Sequence, residues 1–251
     1  TEFAKQLDNV SAPKLWAFVE GIAEQLGAKK PDNLIVGLEP TFYATAARTT
    51  LVNEDKKLDC EFLYLSLPLM RLFDLDELKA VVGHELGHFR GQDTAYTLKF
   101  APVYAGLSNA IGGLSDEEGG VYSLAKLPAI SMLSVMYELF SMNECRISRD
   151  REYEADNAGV SVSSPKALAT SLGKVAIYSH LWSNVREENI ERLKNGKVAS
   201  NLSAVFEDSA KYDVSHRALE EILNEILQTQ ISHPTDTHPT IFERYQNIGF
   251  A

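Results

Sequence analysis

The residues His84, Glu85 and His88 form an H-E-x-x-H motif, and this motif is the clearest chemical signal in the sequence. The surrounding residues have apolar positions at helical spacing, so the two histidines are predicted to lie one above the other on one helix face. Both imidazoles can then bind one zinc ion, for which Zn–N distances are about 2.0–2.1 Å. Glu85 would lie close to the water at that ion without being a ligand. Two solvated histidines on an ordinary amphipathic helix are the alternative.

The start of the helix that carries this motif is also predicted by the sequence. Asp74 is a suitable N-cap, and Glu77, three residues later, completes a capping box. We expect the helix to continue through His88 to about Gly91. The motif therefore lies in the later turns of a helix with a well-defined first turn.

A catalytic zinc site needs three protein ligands and one open position. Where the third ligand is a glutamate, it usually comes from a later helix. The candidate is Glu152, which lies in the segment S-R-D-R-E-Y-E-A-D over residues 148–156.

These two segments resemble the HtpX-type and CAAX prenyl protease-like gluzincin metallopeptidases of peptidase family M48. In that family H-E-x-x-H is followed by a helix reading S-R-x-x-E-[FY]-x-A-D, whose first glutamate binds zinc. The resemblance implies that Glu152, rather than Glu154, is the third ligand. Asp156 follows one turn later on the same face, and the resemblance implies that it supports a zinc-binding imidazole from behind.

Two further segments are similar to family motifs. The string T-H-P-T-I-F-E-R over residues 237–244 matches T-H-P-x-x-x-x-R. This match implies that His238 faces the developing oxyanion and that Arg244 holds either the glutamate-bearing helix or the substrate. A looser likeness to the edge strand N-A-F-A-T-G implies a substrate-pairing strand, which consists of Phe42, Tyr43, Ala44, Thr45 and Ala46.

The resemblance implies an α+β, mainly helical, zincin-like metallopeptidase fold with a small mixed sheet and an active-site helix. With 251 residues and 45% hydrophobic composition, the chain is long enough for one sizeable core. We expect a single catalytic domain over residues 1–251. Its expected parts are an N-terminal helix within 1–30, a helical hairpin insertion over 93–140 and a C-terminal helical part over 160–251.

Periodicity and turn residues predict the individual elements. Strands are expected over 33–38, 42–51 and 58–66, with a turn at 53–56. Ser11 is expected to cap a first helix that has Pro13 in its first turn and ends at Gly27. Later helices are expected over 95–112, over 121–140 and over 135–158, and Pro128 is expected to kink or divide the second of them. A further helix is expected from 165 to about 182, and a last one from about Pro239. Between these two, residues 184–230 are expected to form helices joined in part by a loop at 207–215.

Charge and hydropathy restrict the partners. The net charge of −11 argues against a nucleic-acid partner, because phosphate binding needs clustered Lys and Arg. The longest uncharged run, Phe100 to Ser115, has about 16 residues, fewer than the roughly 20 of a membrane span. We therefore expect a soluble or peripheral domain, as such or as the soluble part of a membrane-associated protein. Helical core packing, or docking to a membrane surface or to a partner through a hairpin over 95–140, would explain these apolar stretches.

The leading functional prediction is a zinc-dependent endopeptidase that hydrolyses peptides or unfolded proteins, with one Zn²⁺ per chain and a place in protein quality control. The alternative is a latent or inactive zinc protein that acts as a chaperone-like binding or adaptor module, with the 113–120 loop as a lid over the cleft. A CAAX prenyl protease proper is a weaker third alternative, because the sequence lacks a membrane chamber.

Overall fold

The computed structural model describes residues 4–52, 56–90, 93–115, 121–216, 227, 236 and 238–250. Within them the chain is mainly helical with a small mixed sheet, which confirms the predicted fold class. The strands are Ala4–Leu7 (β1), Asn33–Gly37 (β2), Tyr43–Thr45 (β3), Thr49–Leu51 (β4), Lys56–Leu58 (β5) and Phe62–Ser66 (β6). The helices are Pro13–Leu26 (α1), Leu67–Met70 (α2), Leu75–Arg90 (α3), Asp93–Ser115 (α4), Val121–Val162 (α5), Pro165–Lys194 (α6), Leu202–His216 (α7) and Ile241–Asn247 (α8).

The main sheet has four strands in the order β1-β2-β6-β3. The two central strands, β2 and β6, are parallel, and the outer strands β1 and β3 pair with them antiparallel. Every residue of β6 is buried, as expected for a strand that is covered on both faces. Among the described strands, β3 is the last in this order and therefore lies at an edge of the sheet.

Two of the predicted strands are wrong in extent. The predicted strand 42–51 is divided into β3 and β4, because the chain changes partner after Thr45, whose hydroxyl accepts a hydrogen bond from the Ala47 N–H at 3.0 Å. The predicted strand 58–66 is likewise divided, and β5 pairs with β4 in a separate two-stranded sheet. Residues 53–55 of the predicted turn lie outside the described residues. The expected N-terminal helix region also contains β1, which periodicity over four residues could not reveal.

Helix α1 begins and ends close to the predicted positions. Pro13 lies in its first turn, but the N-cap is Ala12 rather than Ser11. The backbone N–H of Ser11 donates instead to Oδ1 of Asp8, at 2.7 Å, in the preceding turn. Gly27 ends the helix with φ of 61°, a left-handed conformation that glycine adopts without strain.

The predicted capping box at the start of α3 is confirmed. The Glu77 N–H donates to Oδ1 of Asp74 at 2.8 Å, and the Asp74 N–H donates to Oε2 of Glu77 at 2.9 Å. The buried Glu77 carboxylate also accepts a hydrogen bond from Nζ of Lys174 on α6, at 2.7 Å. The first turn of α3 is therefore attached to α6 as well as capped.

Several helices are longer than predicted. Helix α5 is continuous through Pro128 and joins the two stretches that were expected to be separate. It packs against α4, where the Tyr104 hydroxyl donates to the Phe140 carbonyl at 2.9 Å. Helix α6 reaches Lys194 rather than about residue 182.

Residues 207–215 were expected to form a loop, but they lie within helix α7. Its residue Phe206 is fully buried and packs edge-on against Trp182 of α6, at 5.5 Å between ring centroids. Tertiary packing therefore outweighs the polar composition of this segment. The last helix was expected to start near Pro239; it begins at Ile241, with Thr240 as its N-cap.

Helix α3 lies at the centre of the fold, between the sheet and helices α5 and α6. One apolar cluster joins α1, the main sheet and α3 to α5, α6 and α7, and a smaller cluster joins α6 to α8. Among the described residues, no helix is long and apolar enough to cross a membrane.

Candidate metal centre and active site

Helices α3 and α5 approach each other closely because glycine occupies three positions of their interface. A Cβ atom on Gly159 would lie 2.6 Å from the carbonyl oxygen of Ala80, and one on Gly83 would overlap the side chain of Val162. A Cβ on Gly87 would lie 3.0 Å from α5 backbone and side-chain atoms. Without side chains at these positions, the backbones can pack in direct contact.

This close packing brings three potential ligands together. Nε2 of His84 lies 3.7 Å from Oε2 of Glu152, and Nε2 of His88 lies 3.7 Å from Oε1 of Glu152. One donor atom from each residue can be chosen so that all three lie within 4.8 Å of one another. Two imidazole nitrogens and one carboxylate oxygen form a donor set that suits a divalent transition metal ion.

The Asp156 carboxylate fixes the imidazole of His84 from the opposite side. Its Oδ1 lies 3.0 Å from Nδ1 of His84, and the Asp156 side chain is fully buried. An Nδ1–H that donates to this carboxylate leaves the lone pair of Nε2 available for a metal ion. This tautomer of His84 and the spacing of His84, His88 and Glu152 therefore both suit a bound metal ion.

Arg244 holds Asp156 in turn. Its Nε donates to Oδ2 of Asp156 at 2.9 Å, and its Nη2 donates to Oδ1 at 2.5 Å. Burial alone would raise the pKa of Asp156, but the hydrogen bonds from His84 and Arg244 outweigh it and keep that pKa below its ordinary value. The buried carboxylate is therefore ionised and paired on both oxygens.

The Glu85 carboxylate lies beside the metal-binding histidines and under the edge strand. Its Oε2 accepts a hydrogen bond from the backbone N–H of Ala44 at 3.1 Å. Burial raises the pKa of Glu85, while the neighbouring His84 and His88 oppose that shift. A carboxylate with a raised pKa is a better proton acceptor than an ordinary glutamate, as a general base requires.

His238 lies at the mouth of the site. Its Nδ1 is 3.2 Å from Oε1 of Glu152, and 70% of its side-chain surface is exposed, against 8% for Glu152. This hydrogen bond raises the pKa of His238. Burial of Glu152 opposes ionisation, but the His238 contact and the nearby His84 and Arg244 lower its pKa to about 2. Thr237 of the predicted string lies outside the described residues.

A cleft of about 490 Å³ opens in front of these residues. Residues 41–47, which include β3, line it together with α3, α5, α6 and the His238 segment. All five residues of the predicted edge strand line the cleft, although only Tyr43 to Thr45 have strand conformation. The side chain of Phe42 stacks on Phe73 at 5.5 Å, and that of Tyr43 stacks on Tyr64 at 4.8 Å.

The structure brings together every residue that the motifs predicted for the metal centre and its surroundings. Of the two roles suggested for Arg244, the described contacts fit the first: Arg244 contacts Asp156 and Glu152 of the glutamate-bearing helix, and its Nη2 also lies 3.3 Å from Nδ1 of His84. Sequence reasoning missed the Ala44 N–H, the three interface glycines and the apolar residues of α6 in the cleft. The spacing of Gly83 and Gly87, one turn apart, is a signal that could have predicted a close helix contact.

Comparisons with known proteins agree with this geometry. The family model described as peptidase family M48 matches residues 11–249. A protease HtpX homologue of Archaeoglobus fulgidus is 26% identical over 241 residues, which cover 94% of this chain and 67% of that protein. A second one, of Polynucleobacter necessarius subsp. necessarius, is 29% identical over 184 residues, covering 70% of this chain and 60% of that protein. The chain thus spans about three fifths to two thirds of the length of these curated relatives.

A solved structure, the crystal structure of S. mikatae Ste24p, is 15% identical and superposes with a TM-score of 0.49. The superposition covers 98% of this chain and 52% of that one.

Proposed function

The chain belongs to peptidase family M48, as its motifs predicted, and on that premise we propose that it is a zinc-dependent endopeptidase acting on peptides or unfolded proteins. The observation that carries this proposal is the position of the Glu85 carboxylate. It lies beside a His84–His88–Glu152 donor set and within hydrogen-bond distance of an edge strand. A metal site alone would not need a buried carboxylate with a raised pKa at this place.

We propose that His84, His88 and Glu152 hold one Zn²⁺. When bound, the ion would polarise the scissile carbonyl and lower the pKa of a water molecule from about 15.7 toward 7. Asp156 and Arg244 would keep the His84 imidazole oriented and in its Nδ1–H form. Support for zinc in particular comes from the His₂Glu donor set, which is common in catalytic zinc sites.

Glu85 would act as the general base and then as the acid. Its carboxylate would remove a proton from the attacking water and return it to the leaving amine. The Ala44 N–H holds one carboxylate oxygen in place, and the other oxygen remains to meet the water. Because burial raises the pKa of Glu85, the proton can be held between the two steps.

The substrate would lie extended along β3, which is the last strand in the order of the described sheet and lines the cleft. Main-chain hydrogen bonds to such an edge are a general way to bind a peptide. His238 would then face the carbonyl oxygen as charge develops on it. Its exposed position at the mouth of the cleft leaves it able to approach a bound substrate.

Metal analysis combined with a casein-hydrolysis assay tests the proposal. We expect one zinc per chain, hydrolysis that phenanthroline blocks, and a loss of hydrolysis in Glu85→Gln with the zinc retained. Glu154→Gln is a matched control, because Glu154 is an exposed carboxylate near the same site. Normal hydrolysis by Glu85→Gln would refute the general base. Faster hydrolysis of an unfolded protein such as casein than of a stably folded protein would support a place in protein quality control.

The alternative of a latent chaperone-like or adaptor module is not favoured, because the chain is similar to named proteases and retains the metal-binding residues of the motif. Most of the loop proposed as a lid, residues 116–120, lies outside the described residues. One zinc per chain without hydrolysis of any peptide would favour this alternative.

For the hairpin of α4 and α5 we propose peripheral contact with a membrane surface. Met132, Val135 and Leu139 lie on one face of α5 and are 67%, 54% and 56% exposed. No charged residue interrupts the segment from Leu127 to Tyr137, so this face can enter the boundary between headgroups and acyl chains. Flotation with phosphatidylcholine vesicles tests this contact. Met132→Glu should abolish flotation, and unchanged flotation would refute it.

A further inference from the structure

One face of helix α5 contacts the C-terminal segment that leads from residue 236 into α8. Three polar side chains lie on this face, at a spacing of three and four residues: Arg149, Glu152 and Asp156. Each of them contacts the segment, and their partners are, in the same order, the carbonyl oxygen of Asp236, Nδ1 of His238 and the guanidinium of Arg244. Because the partners follow one another in the order of the helix residues, the segment lies along this face.

The contact of Arg149 differs from the other two because it is made to the backbone. Its Nη1 donates to the carbonyl oxygen of Asp236 at 3.2 Å, so it fixes the chain itself rather than one side chain. Arg149 is partly buried, and a hydrogen bond from a charged donor is stronger where water has less access. Arg149 is neither one of the proposed metal ligands nor one of the described residues that line the cleft. Neither the metal site nor contact with a substrate therefore explains its position.

The backbone of His238 is fixed on both sides. Asp236, two residues before it, is bound by Arg149, and Pro239, directly after it, is buried and has a restricted φ. The His238 side chain itself is 70% exposed, so its backbone largely decides where the imidazole lies. A displacement of about 1 Å at a catalytic group can lower a rate by about 10²-fold. The bond from Arg149 to the backbone can therefore affect the reaction from outside the cleft.

From these contacts we infer that Arg149 is a positioning residue, which holds the segment before His238 against α5 so that the imidazole faces the developing oxyanion. The inference rests on the proposed function, in which His238 faces the carbonyl oxygen as charge develops on it. Arg149 acts through His238 and needs no contact with the substrate or the metal. Without its bond the segment can move away from α5, and the imidazole loses its fixed distance from the reacting carbonyl.

A double-mutant cycle of Arg149→Gln and His238→Phe tests this role. We expect Arg149→Gln to lower kcat about tenfold, which is part of the roughly 10²–10³ expected for the loss of one oxyanion donor. The KM for a peptide should change less than about twofold, because the interaction is made in the transition state. In the His238→Phe background the same substitution should change kcat less than about twofold, because the two residues act as one unit.

Arg146→Gln is the matched control, because Arg146 lies one turn earlier on α5 and is exposed. It should have the kcat and KM of wild type. An unchanged kcat in Arg149→Gln, an equal fall in both backgrounds or an effect on KM alone would overturn the inference. Loss of bound zinc in Arg149→Gln would overturn it as well, since a residue that positions only His238 leaves the metal ligands in place.

A binding measurement separates this inference from the proposed hydrolysis. A phosphinic peptide, in which a tetrahedral phosphorus with a charged oxygen replaces the scissile carbonyl, is titrated into the zinc-loaded protein by calorimetry. We expect Arg149→Gln to bind it about tenfold more weakly than wild type and Arg146→Gln to bind it equally well. Adding Arg149→Gln to His238→Phe should cause no further loss. If peptides are not hydrolysed but this coupling is found, the proposed function fails and the positioning role stands. Equal affinities of wild type and Arg149→Gln, or no binding to wild type, would overturn the positioning role.

Discussion

The backbone N–H of Ala44 donates a hydrogen bond of 3.1 Å to Oε2 of Glu85. The two residues are 41 positions apart in the chain and belong to different layers of the fold, the edge of the sheet and the central helix. The strand on which we expect the substrate to lie therefore also holds the carboxylate that we expect to move the proton. Such a link fixes the distance between the bound peptide and its general base.

The Ala44→Pro variant tests this link, because proline has no N–H to donate. Edge strands tolerate proline where the N–H points away from the sheet, so the sheet should persist. A hydrogen bond to a charged group contributes about 1.5–3 kcal/mol, and we expect kcat to fall roughly 10- to 100-fold. Ala44→Val retains the N–H and should remain active. Steady-state kinetics and circular dichroism of the three proteins check this, and an unchanged kcat in Ala44→Pro would contradict the link.

Asp156→Asn should weaken metal binding without removing a ligand. The variant loses the carboxylate that holds the His84 Nδ1–H, and such supporting partners contribute about 10- to 100-fold in metal affinity. It also removes the nearest carboxylate of the buried Arg244 guanidinium and leaves only Glu152, at 3.7 Å, beside it, at a cost of up to about 3–5 kcal/mol in unfolding free energy. Asp150→Asn, an exposed position on the same helix, is the control. Competition with a chromophoric chelator measures the zinc affinity, and thermal unfolding measures the stability. A zinc affinity of Asp156→Asn equal to that of wild type would exclude the supporting role.

Part of the arrangement of the candidate metal centre could be predicted from the sequence, because it depends on local features. The H-E-x-x-H spacing fixes two ligands on one face of a helix, and the capping box at Asp74 and Glu77 fixes where that helix starts. Both features depend on residues within a few positions of each other. The third ligand, Glu152, was found by resemblance to a family, since nothing local distinguishes it from Glu154.

Features that depend on distant partners could not be predicted in this way. The continuation of α5 through Pro128 and the helical conformation of residues 207–215 depend on packing against α4 and α6. The division of the 42–51 segment into two strands depends on which partner each half finds. The apolar residues of α6 that line the cleft likewise have the same spacing as those of an ordinary core helix.

Gly159→Ala tests the close contact between α3 and α5. The added Cβ would lie 2.6 Å from the Ala80 carbonyl oxygen, a backbone atom that cannot move alone. We expect a loss of about 1–3 kcal/mol in unfolding free energy from overpacking and weaker zinc binding, since the ligands of the two helices would separate. Gly106→Ala in α4 is the matched control, because its Cβ would meet no atom within 4 Å. That variant should gain about 0.5–1 kcal/mol from helix propensity. Equal effects in urea unfolding would contradict the close-contact role.

The stability of the metal-free protein should depend on pH through Glu152. Its contacts with His238 and its neighbours lower its pKa from the ordinary value of 4.5 to about 2 in the folded state. A lowered folded-state pKa gives stability that is present above about pH 4.5 and is lost as the pH falls toward 2. At about 1.4 kcal/mol per pKa unit, the loss is about 3 kcal/mol. The raised pKa of His238 has the opposite sign, so its contribution to stability is present below about pH 6.5 and is lost as the pH rises through that raised value.

Urea unfolding in EDTA between pH 3 and 7 measures this dependence on pH. As the pH falls, the unfolding free energy should decrease more steeply in wild type than in Glu152→Gln, while Glu154→Gln, at an exposed position, follows wild type. Parallel curves for wild type and Glu152→Gln would mean that the contact does not stabilise the ionised carboxylate.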